Sequence, residues 1–325
     1  MNAQHDELTP KEKKRARYYQ QKDIIDRLFK YLLMTMTTIG SLLIIFIVVL
    51  IFINGIRPFL PNSIYGRISF WKFITGLRWT PGSRLYGVGY MIINTLYITF
   101  LSVLFVVPLS VLTALFIAKI APKRLAELMR TVIEILASIP SVIFGMFGAA
   151  IVVQWVNGMA HGLNQVLPGT PIYSVAGLST LSAVLVLSMM IFPTITSIAE
   201  TAIRAVPNTL EEASLALGAT VTQTNFKVVL TSAKSCIFAG VILGVGRALG
   251  EATAVSLVAG NLSVGPTFSL FAPTQTLTSA MLLGIHESEG INYDIRFSIA
   301  LVLIVLILVV NWLLNVVKAK VGHGR

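Results

Sequence analysis

Two charged residues, Arg247 and Glu251, interrupt a stretch that is otherwise apolar and uncharged from residue 236 to residue 260. An arginine at the centre of a membrane helix costs about 2.5–3.5 kcal/mol on insertion scales, so its side chain normally faces a bundle interior or a wet cavity. A spacing of four places both side chains on one helix face, where they can form an ion pair. Because arginine precedes glutamate, this pair has the weaker orientation and contributes at most about 0.5 kcal/mol.

So small a gain does not offset the insertion cost, which favours a functional role and leaves mutual neutralisation as the structural alternative. The planar guanidinium of Arg247 donates two parallel hydrogen bonds and therefore suits a tetrahedral oxyanion. The same stretch contains four glycines, which leave the helix backbone uncovered by side chains: Gly240, Gly244, Gly246 and Gly250. These glycines allow either close packing of a neighbouring helix or room for a small solute.

A short polar segment, Glu211–Gly218, lies between two apolar stretches. Thr209 stands three residues before Glu212, which is the spacing of a capping box, and Gly218 supplies the positive φ at which helices commonly end. These signals predict a helix of about two turns. So short a helix is marginally stable in water and needs a surface to lie on.

The predicted short helix has one narrow apolar face, formed by Leu210, Ala213 and Leu217, while Glu211 and Ser214 are expected to point elsewhere. Two interpretations fit this pattern. The helix is either a connector that packs on the ends of the protein's own membrane helices, or the docking element for a separate protein.

The composition places these features in an integral membrane protein. Of the 325 residues, 55% are hydrophobic and 12% are charged, which is too apolar for a soluble globular domain. Six nearly uncharged runs reach the roughly 20 residues that a spanning helix requires. They cover residues 31–53, 88–118, 131–156, 177–199, 236–260 and 297–317. Pro108, Pro140 and Pro193 are expected to bend the second, third and fourth spans.

Basic residues are distributed unevenly around these runs. Eight precede the first span, four follow the second, three follow the fourth and three lie in the C-terminal tail. The other side has five basic residues between the first two spans, together with Arg296. The positive-inside rule therefore predicts that both termini are cytoplasmic. Residues 54–88 conflict with this rule, because an external loop with five cations and no acid is unusual.

The expected organisation has three parts. Residues 1–30 form a basic cytoplasmic head, of which about 25 residues are expected to be disordered. Residues 31–317 form the transmembrane domain with a cytoplasmic loop at 204–232, and residues 318–325 form a cytoplasmic tail. The head is predicted to contact membrane lipid headgroups and not nucleic acid. Residues 54–88 are expected to lie at the membrane interface, with Trp71 and Trp79 at headgroup depth, and residues 157–176 and 261–295 to form external loops.

Several kinds of chemistry are not expected. Cys236 is the single cysteine and the four histidines are scattered, so neither a disulfide nor a metal site is predicted. The sequence has no GxxxxGK[ST] motif, so the chain is not expected to be an enzyme or to hold a cofactor. If ATP drives its activity, a separate subunit binds and hydrolyses the ATP.

The triplet Glu212–Ser214, followed by Gly218 and the apolar residues 228–230, resembles the EAA loop of ABC importer permeases. Ser214 replaces the second alanine of that loop, and Thr231 stands where proline is usual. In the family, the loop is a cytoplasmic coupling helix that sits in a groove of the ATPase subunit. The residues to which the resemblance gives this coupling role are Glu211, Glu212, Ala213 and Gly218.

Two further motifs narrow the resemblance. Residues 246–252 with residues 258–261, and residues 136–145, are similar to the phosphate-specific transport permeases of the PstC type, and the similarity covers nearly all of residues 30–317. The resemblance implies an all-α integral membrane protein with the six transmembrane helices of the type I, MetI-like importer permeases, both termini being cytoplasmic.

For Arg247 and Glu251, the resemblance implies a role in phosphate passage through the bacterial cytoplasmic (inner) membrane. The implied partners are the homologous permease PstA, a PstB ATPase dimer and the external phosphate-binding protein PstS. Three alternatives stay open. The same fold could carry sulfate or molybdate, the chain could report phosphate status as a signalling subunit, or it could be a stand-alone secondary transporter, which should show inverted repeats.

Overall fold

The computed structural model of the chain describes residues 10–60, 68–166 and 176–322. Within them, two short strands, β1 (Trp79–Thr80) and β2 (Leu85–Tyr86), pair antiparallel, and all other regular structure is helical. In chain order the α-helices are α1 (Pro10–Ile56), α2 (Phe70–Thr75), α3 (Gly89–Leu115), α4 (Lys123–Ser138), α5 (Ser141–Phe147), α6 (Val153–Val166), α7 (Thr180–Arg204), α8 (Asn208–Ala216), α9 (Val221–Gln223), α10 (Leu230–Gly250), α11 (Thr253–Val258), α12 (Leu277–Leu282) and α13 (Ile291–Gly322).

Three π-helical turns lie within the longer helical stretches. Phe116–Ile120 extends α3, Gly148–Val152 joins α5 to α6, and Thr224–Val229 joins α9 to α10. Short 3₁₀ turns occur at Arg57–Phe59 and Pro81–Ser83.

The described chain has six helical stretches that are long and apolar enough to cross a membrane, which confirms the predicted number. Their bounds are Ile25–Phe59, Gly89–Ile120, Ser141–Val166, Thr180–Arg204, Val221–Gly250 and Ile291–Lys320. Pro108 and Pro193 lie inside continuous helices, α3 and α7.

The predicted third span, residues 131–156, is wrong at both ends. Ile139 and Pro140 are extended, as the residue before a proline prefers, so α4 ends at Ser138 as a separate helix and a new helix starts at Ser141. That helix continues to Val166 through residues predicted to be a loop. The remainder of that predicted loop up to residue 175 lies outside the described residues.

Contacts divide the chain into two units, Met1–Ile53 and Asn54–Arg325. In the first unit, α1 is helical from Pro10, so the disorder predicted for about the first 25 residues is wrong from residue 10 onward. The hydroxyls of Thr37, Thr38 and Ser41 each donate to the backbone carbonyl four residues earlier. These bonds satisfy polar side chains inside an apolar helix.

The core of the second unit is formed by α3, α7 and α10. Ile98, Leu187 and Ile191 are fully buried there. Two serine hydroxyls join α3 to α7: Ser102 Oγ donates to the carbonyl of Val184 at 3.2 Å, and Ser188 Oγ donates to the carbonyl of Ser102 at 3.3 Å. Polar groups at this interface are therefore paired between the helices.

A second core cluster lies beneath the segment between the first two spans. The rings of Trp79 and Tyr86 pack edge to face, with centroids 5.3 Å apart, and both side chains are buried. The N–H of Trp79 donates to the carbonyl of Ser263 at 2.9 Å. Trp79 therefore packs inside the protein and not in the lipid interface, whereas Trp71 is exposed.

Candidate translocation site and coupling helix

The apolar stretch that carries Arg247 and Glu251 is broken between them. Helix α10 ends at Gly250, the backbone of Glu251 is extended (φ −74°, ψ 119°), and α11 begins at Thr253. The predicted continuous span 236–260, with both charges on one helix face, is therefore wrong. Gly250 favours the break, because glycine is a poor helix former, and side chains satisfy the freed backbone groups.

Glu251 stabilises the helix break through both its side chain and its backbone. Its Oε1 accepts a hydrogen bond from the N–H of Ala254 at 2.8 Å, and its backbone carbonyl accepts one from Thr278 Oγ1 at 2.7 Å. The carboxylate thus satisfies an N–H in the first turn of α11 that has no helical partner. Thr278 belongs to α12, so Glu251 connects three helices at one point.

Arg247 points to a different neighbour. Its Nη1 donates to Thr194 Oγ1 on α7 at 2.9 Å, and no described carboxylate forms an ion pair with it. The residue is half-buried. The guanidinium of Arg247 therefore has a neutral hydrogen-bond partner in a partly enclosed position, an environment that can accept an anion.

The four glycines of this helix form two pairs, one that permits close helix packing and one that leaves open space, so both explanations proposed for them apply. A Cβ at Gly240 or Gly244 would lie 2.9 Å or 2.7 Å from an isoleucine side chain of α7, which means that these two glycines permit close helix packing. A Cβ at Gly246 or Gly250 would meet no described atom within 4 Å beyond the local helix backbone. Open space therefore adjoins the turn that carries Arg247.

The segment predicted as a two-turn helix is α8. Gly218 has φ +83°, which confirms the predicted helix stop. The predicted capping box is wrong: α8 begins at Asn208 after Pro207, and no side chain caps its N-terminus. The capping box of this region lies further on, where Thr220 and Gln223 each bond the other's backbone N–H.

The orientation of α8 exposes its apolar face. Glu211 forms an ion pair with Lys119 in the π turn after α3, and Ser214 Oγ lies 2.9 Å from Thr224 Oγ1. These polar residues face the rest of the chain, whereas Leu210 and Leu217 are 43% and 90% exposed. The described chain therefore does not cover the apolar face, which argues against the connector interpretation.

A buried carboxylate that the sequence analysis missed lies at the end of α7. Glu200 Oε1 accepts from Arg130 Nη2 at 2.7 Å and from Arg204 Nε at 2.8 Å. The hydrogen bond to Glu200, followed by its charge, raises the pKa of the Arg130 guanidinium. Arg130 thus ties α4 to α7. The sequence does contain a signal for this site, because Glu200 is an acid at the edge of an apolar run, four residues before Arg204.

A buried polar segment was also missed. Residues 274–279 were predicted to lie in a loop, yet their side chains are almost entirely buried. Tyr90 donates to Gln275 Oε1 at 2.6 Å, and Thr95 Oγ1 accepts from the N–H of Leu277 at 3.1 Å. Loop-like composition concealed this segment, because its polar groups find hydrogen-bond partners on α3, at Glu251 and within the segment itself.

Residues 107–323 match the family model described as "Binding-protein-dependent transport system inner membrane component". The chain is 37% identical over 258 residues to the "Probable ABC transporter permease protein YqgH" of Bacillus subtilis (strain 168), covering 78% of each chain. It is 34% identical to the "Phosphate transport system permease protein PstC" of Pasteurella multocida (strain Pm70), covering 74% of this chain and 77% of the relative.

A relative in Methanocaldococcus jannaschii, the "Probable phosphate transport system permease protein PstC", is 32% identical over 89% of this chain and 93% of its own length. Among solved structures, the fold is similar to a chain of a bacterial alginate ABC transporter in complex with its alginate-bound periplasmic protein. That match has a TM-score of 0.64 at 19% identity, over 93% of this chain and 98% of the other.

A methionine ABC transporter, MetNI, matches with a TM-score of 0.52 at 20% identity, over 72% of this chain and 95% of the other. The six-helix fold expected of ABC importer permeases is thus confirmed. The chain belongs to the family of binding-protein-dependent transport system inner membrane components.

Proposed function

We propose that this multi-pass membrane protein is the permease subunit of an ATP-driven importer of inorganic phosphate, and that it forms the translocation path with a homologous subunit. The single observation that carries the proposal is the place of Arg247, a half-buried cation beside an open glycine face in a spanning helix. The names of the PstC relatives support phosphate as the cargo.

The proposal assigns α8 to a separate ATPase. Its outward apolar face and its firm attachment to the chain through Glu211 and Ser214 suit an element that receives force from a partner. Lys119 lies at the end of the second span, so a displacement of α8 acts directly on α3 and, through the α3–α7 contacts, on the core. Closure of an ATPase dimer would then convert an outward-facing cavity into an inward-facing one.

The remaining partners follow from this role. PstA would supply the second half of the path, a PstB dimer would bind and hydrolyse ATP, and PstS would deliver phosphate from outside. The permease itself would need no cofactor. The charge asymmetry supports cytoplasmic termini in the cytoplasmic (inner) membrane. With that orientation, α8 would lie inside and residues 54–88 outside.

The break at Glu251 refines the proposed chemistry of passage. Arg247 would attract and position the anion, while Glu251, held by Ala254 and Thr278, would lie one turn further along the path. Phosphate carries a proton near neutral pH that a carboxylate can accept, and sulfate does not. Glu251 would thereby favour phosphate and weaken binding enough for release.

The decisive experiment is purification of the membrane complex, identification of its subunits and measurement of uptake in sealed vesicles. We expect an ATPase, a second permease and ATP-dependent accumulation of phosphate that excess sulfate does not inhibit. Accumulation of sulfate or molybdate in place of phosphate would reassign the cargo. Transport without any ATPase would overturn the proposal.

A further inference from the structure

A cationic cavity opens beside the hairpin of β1 and β2, well apart in sequence from Arg247. Its volume is about 740 Å³, and its lining includes Lys72, Arg78 and Arg84 together with Ser69 and Tyr86. None of the described residues that line it is acidic. All three cations come from the acid-free segment 54–88, whose charge is unusual for an external loop.

Hydrogen bonds and core packing hold the cavity wall, although its cations are exposed. The backbone N–H of Gly87 donates to the carbonyl of Arg78 at 2.9 Å, and Trp79 and Tyr86 anchor the two strands in the core. The hydroxyl of Tyr86 donates to Asn292 Oδ1 at the start of α13. The base of the cavity is thus tied to the last span.

Arg84 occupies a backbone position that does not favour it. It lies in the turn of the hairpin with φ +52°, in the left-handed region where glycine or asparagine costs less free energy. Burial raises the pKa of the Tyr86 hydroxyl, and the charge of Arg84, which lines the same cavity, partly offsets that rise. Unfavoured residues of this kind cluster at binding sites.

The acid with a described charge interaction in this region does not neutralise the cavity. Asp294 on α13 interacts with Arg57, a cation of the same segment that does not line the cavity. Clefts lined by one sign of charge raise the local concentration of the opposite ion. Arginine and lysine side chains are also the usual protein partners of phosphate oxygens.

We propose that this cavity is an external binding site for phosphate-type oxyanions, in which Lys72 and Arg78 hold the anion at the entrance to the membrane domain. The proposal rests on the proposed function for the assignment of this face to the outside. The shared chemistry is a phosphate group, which either free inorganic phosphate or an anionic lipid headgroup can supply. Three of the five cations in this acid-free segment then have a purpose outside the membrane.

The test is protection of Lys72 from an amine-reactive reagent, measured by peptide mass spectrometry on the purified full-length chain in nanodiscs of phosphatidylcholine. Inorganic phosphate is compared with chloride at equal ionic strength, and Lys123, an exposed lysine of α4, is the internal reference. At a phosphate concentration ten times that for half-protection, labelling of Lys72 should slow roughly tenfold while Lys123 is unchanged.

Variants and a second lipid composition separate the outcomes. Arg78→Gln should abolish protection, whereas the matched exchange Arg57→Gln should preserve it. Protection that instead requires phosphatidylglycerol in the nanodisc, without an effect of free phosphate, keeps the site and assigns a lipid headgroup as its source. No protection under either condition overturns the proposal, as does protection that only an acidic external protein provides.

The measurement involves neither ATP nor transport, so its result is independent of the uptake assay. Failure of phosphate uptake with intact protection of Lys72 would reject the proposed function and leave the cavity site standing. Normal uptake with an unprotected Lys72 would reject the cavity site alone.

Discussion

Arg247 on α10 and Thr194 on α7 are joined by a hydrogen bond of 2.9 Å between Nη1 and Oγ1. This bond orients the guanidinium without neutralising it, because a hydroxyl contributes no charge. The arginine therefore remains available to an anion, which a carboxylate partner at the same distance would oppose.

Arg247→Gln should abolish phosphate uptake while complex assembly and ATPase attachment are unchanged, because the variant keeps polar contact but loses the charge. Thr194→Val, which removes only the orienting bond, should reduce uptake without abolishing it. Vesicle uptake assays measure the effects of both variants, and recovery of the other subunits of the complex is the control. Parental uptake by Arg247→Gln would show that the residue is structural.

Glu251→Gln separates the charge of this residue from its capping role. The amide oxygen of glutamine can still accept the bond from the N–H of Ala254, so the helix break should persist. We therefore expect normal assembly and thermal stability together with loss of uptake. Equal uptake by Glu251→Gln and by the parent would mean that Glu251 serves only the backbone.

Glu200→Gln should destabilise the protein by about 1.5–3 kcal/mol, because a buried carboxylate that accepts two charged hydrogen bonds loses its charge. This loss of stability is smaller than that expected for breaking a fully buried ion pair, since Arg130 and Arg204 are each at least a third exposed to solvent.

Thermal unfolding in detergent measures this effect. Glu134→Gln is the matched control, being the same exchange at an exposed position of α4, and it should leave the melting temperature unchanged. Equal melting temperatures for the parent and Glu200→Gln would contradict the structural role of Glu200.

Gly218→Asp tests α8 as a docking element. A side chain at φ +83° costs about 1 kcal/mol in backbone strain, and no described atom would clash with it, so membrane insertion should be intact. A new charge at the edge of a partner's groove should abolish uptake. In Gly218→Asn, the new side chain has nearly the same size as aspartate, carries no charge and tolerates this φ, so this variant should retain more uptake than Gly218→Asp. Identical losses of uptake in the two variants would point to backbone strain and not to docking.

The topology prediction uses single cysteines in a Cys236→Ser background. Cysteines at Asn164 and Glu289 should react with an impermeant thiol reagent from outside sealed cells, and one at Asn208 should not. External labelling at residue 208 would be incompatible with cytoplasmic termini and an internal α8.

The features that followed from the sequence are those that depend on local composition. Six apolar runs predicted six spans, and Gly218 predicted a helix stop, because hydropathy and positive φ are properties of short segments. The break after Gly250 was missed, since it is stabilised by Thr278, 27 residues further along the chain. Glu200 was missed for the same reason, its partner Arg130 being 70 residues away.

The π turn at Thr224–Val229 has a practical consequence for the construction of chimeric permeases. A π turn accommodates one extra residue without turning the helix that follows, so loss of the turn without loss of that residue would rotate everything after it by about 100°. The loop containing α8 and the helix containing Arg247 therefore share a register that passes through this turn. A grafted loop of the same length that lacks the turn would direct Arg247 away from Thr194, even if every residue of the graft were compatible with its new ATPase.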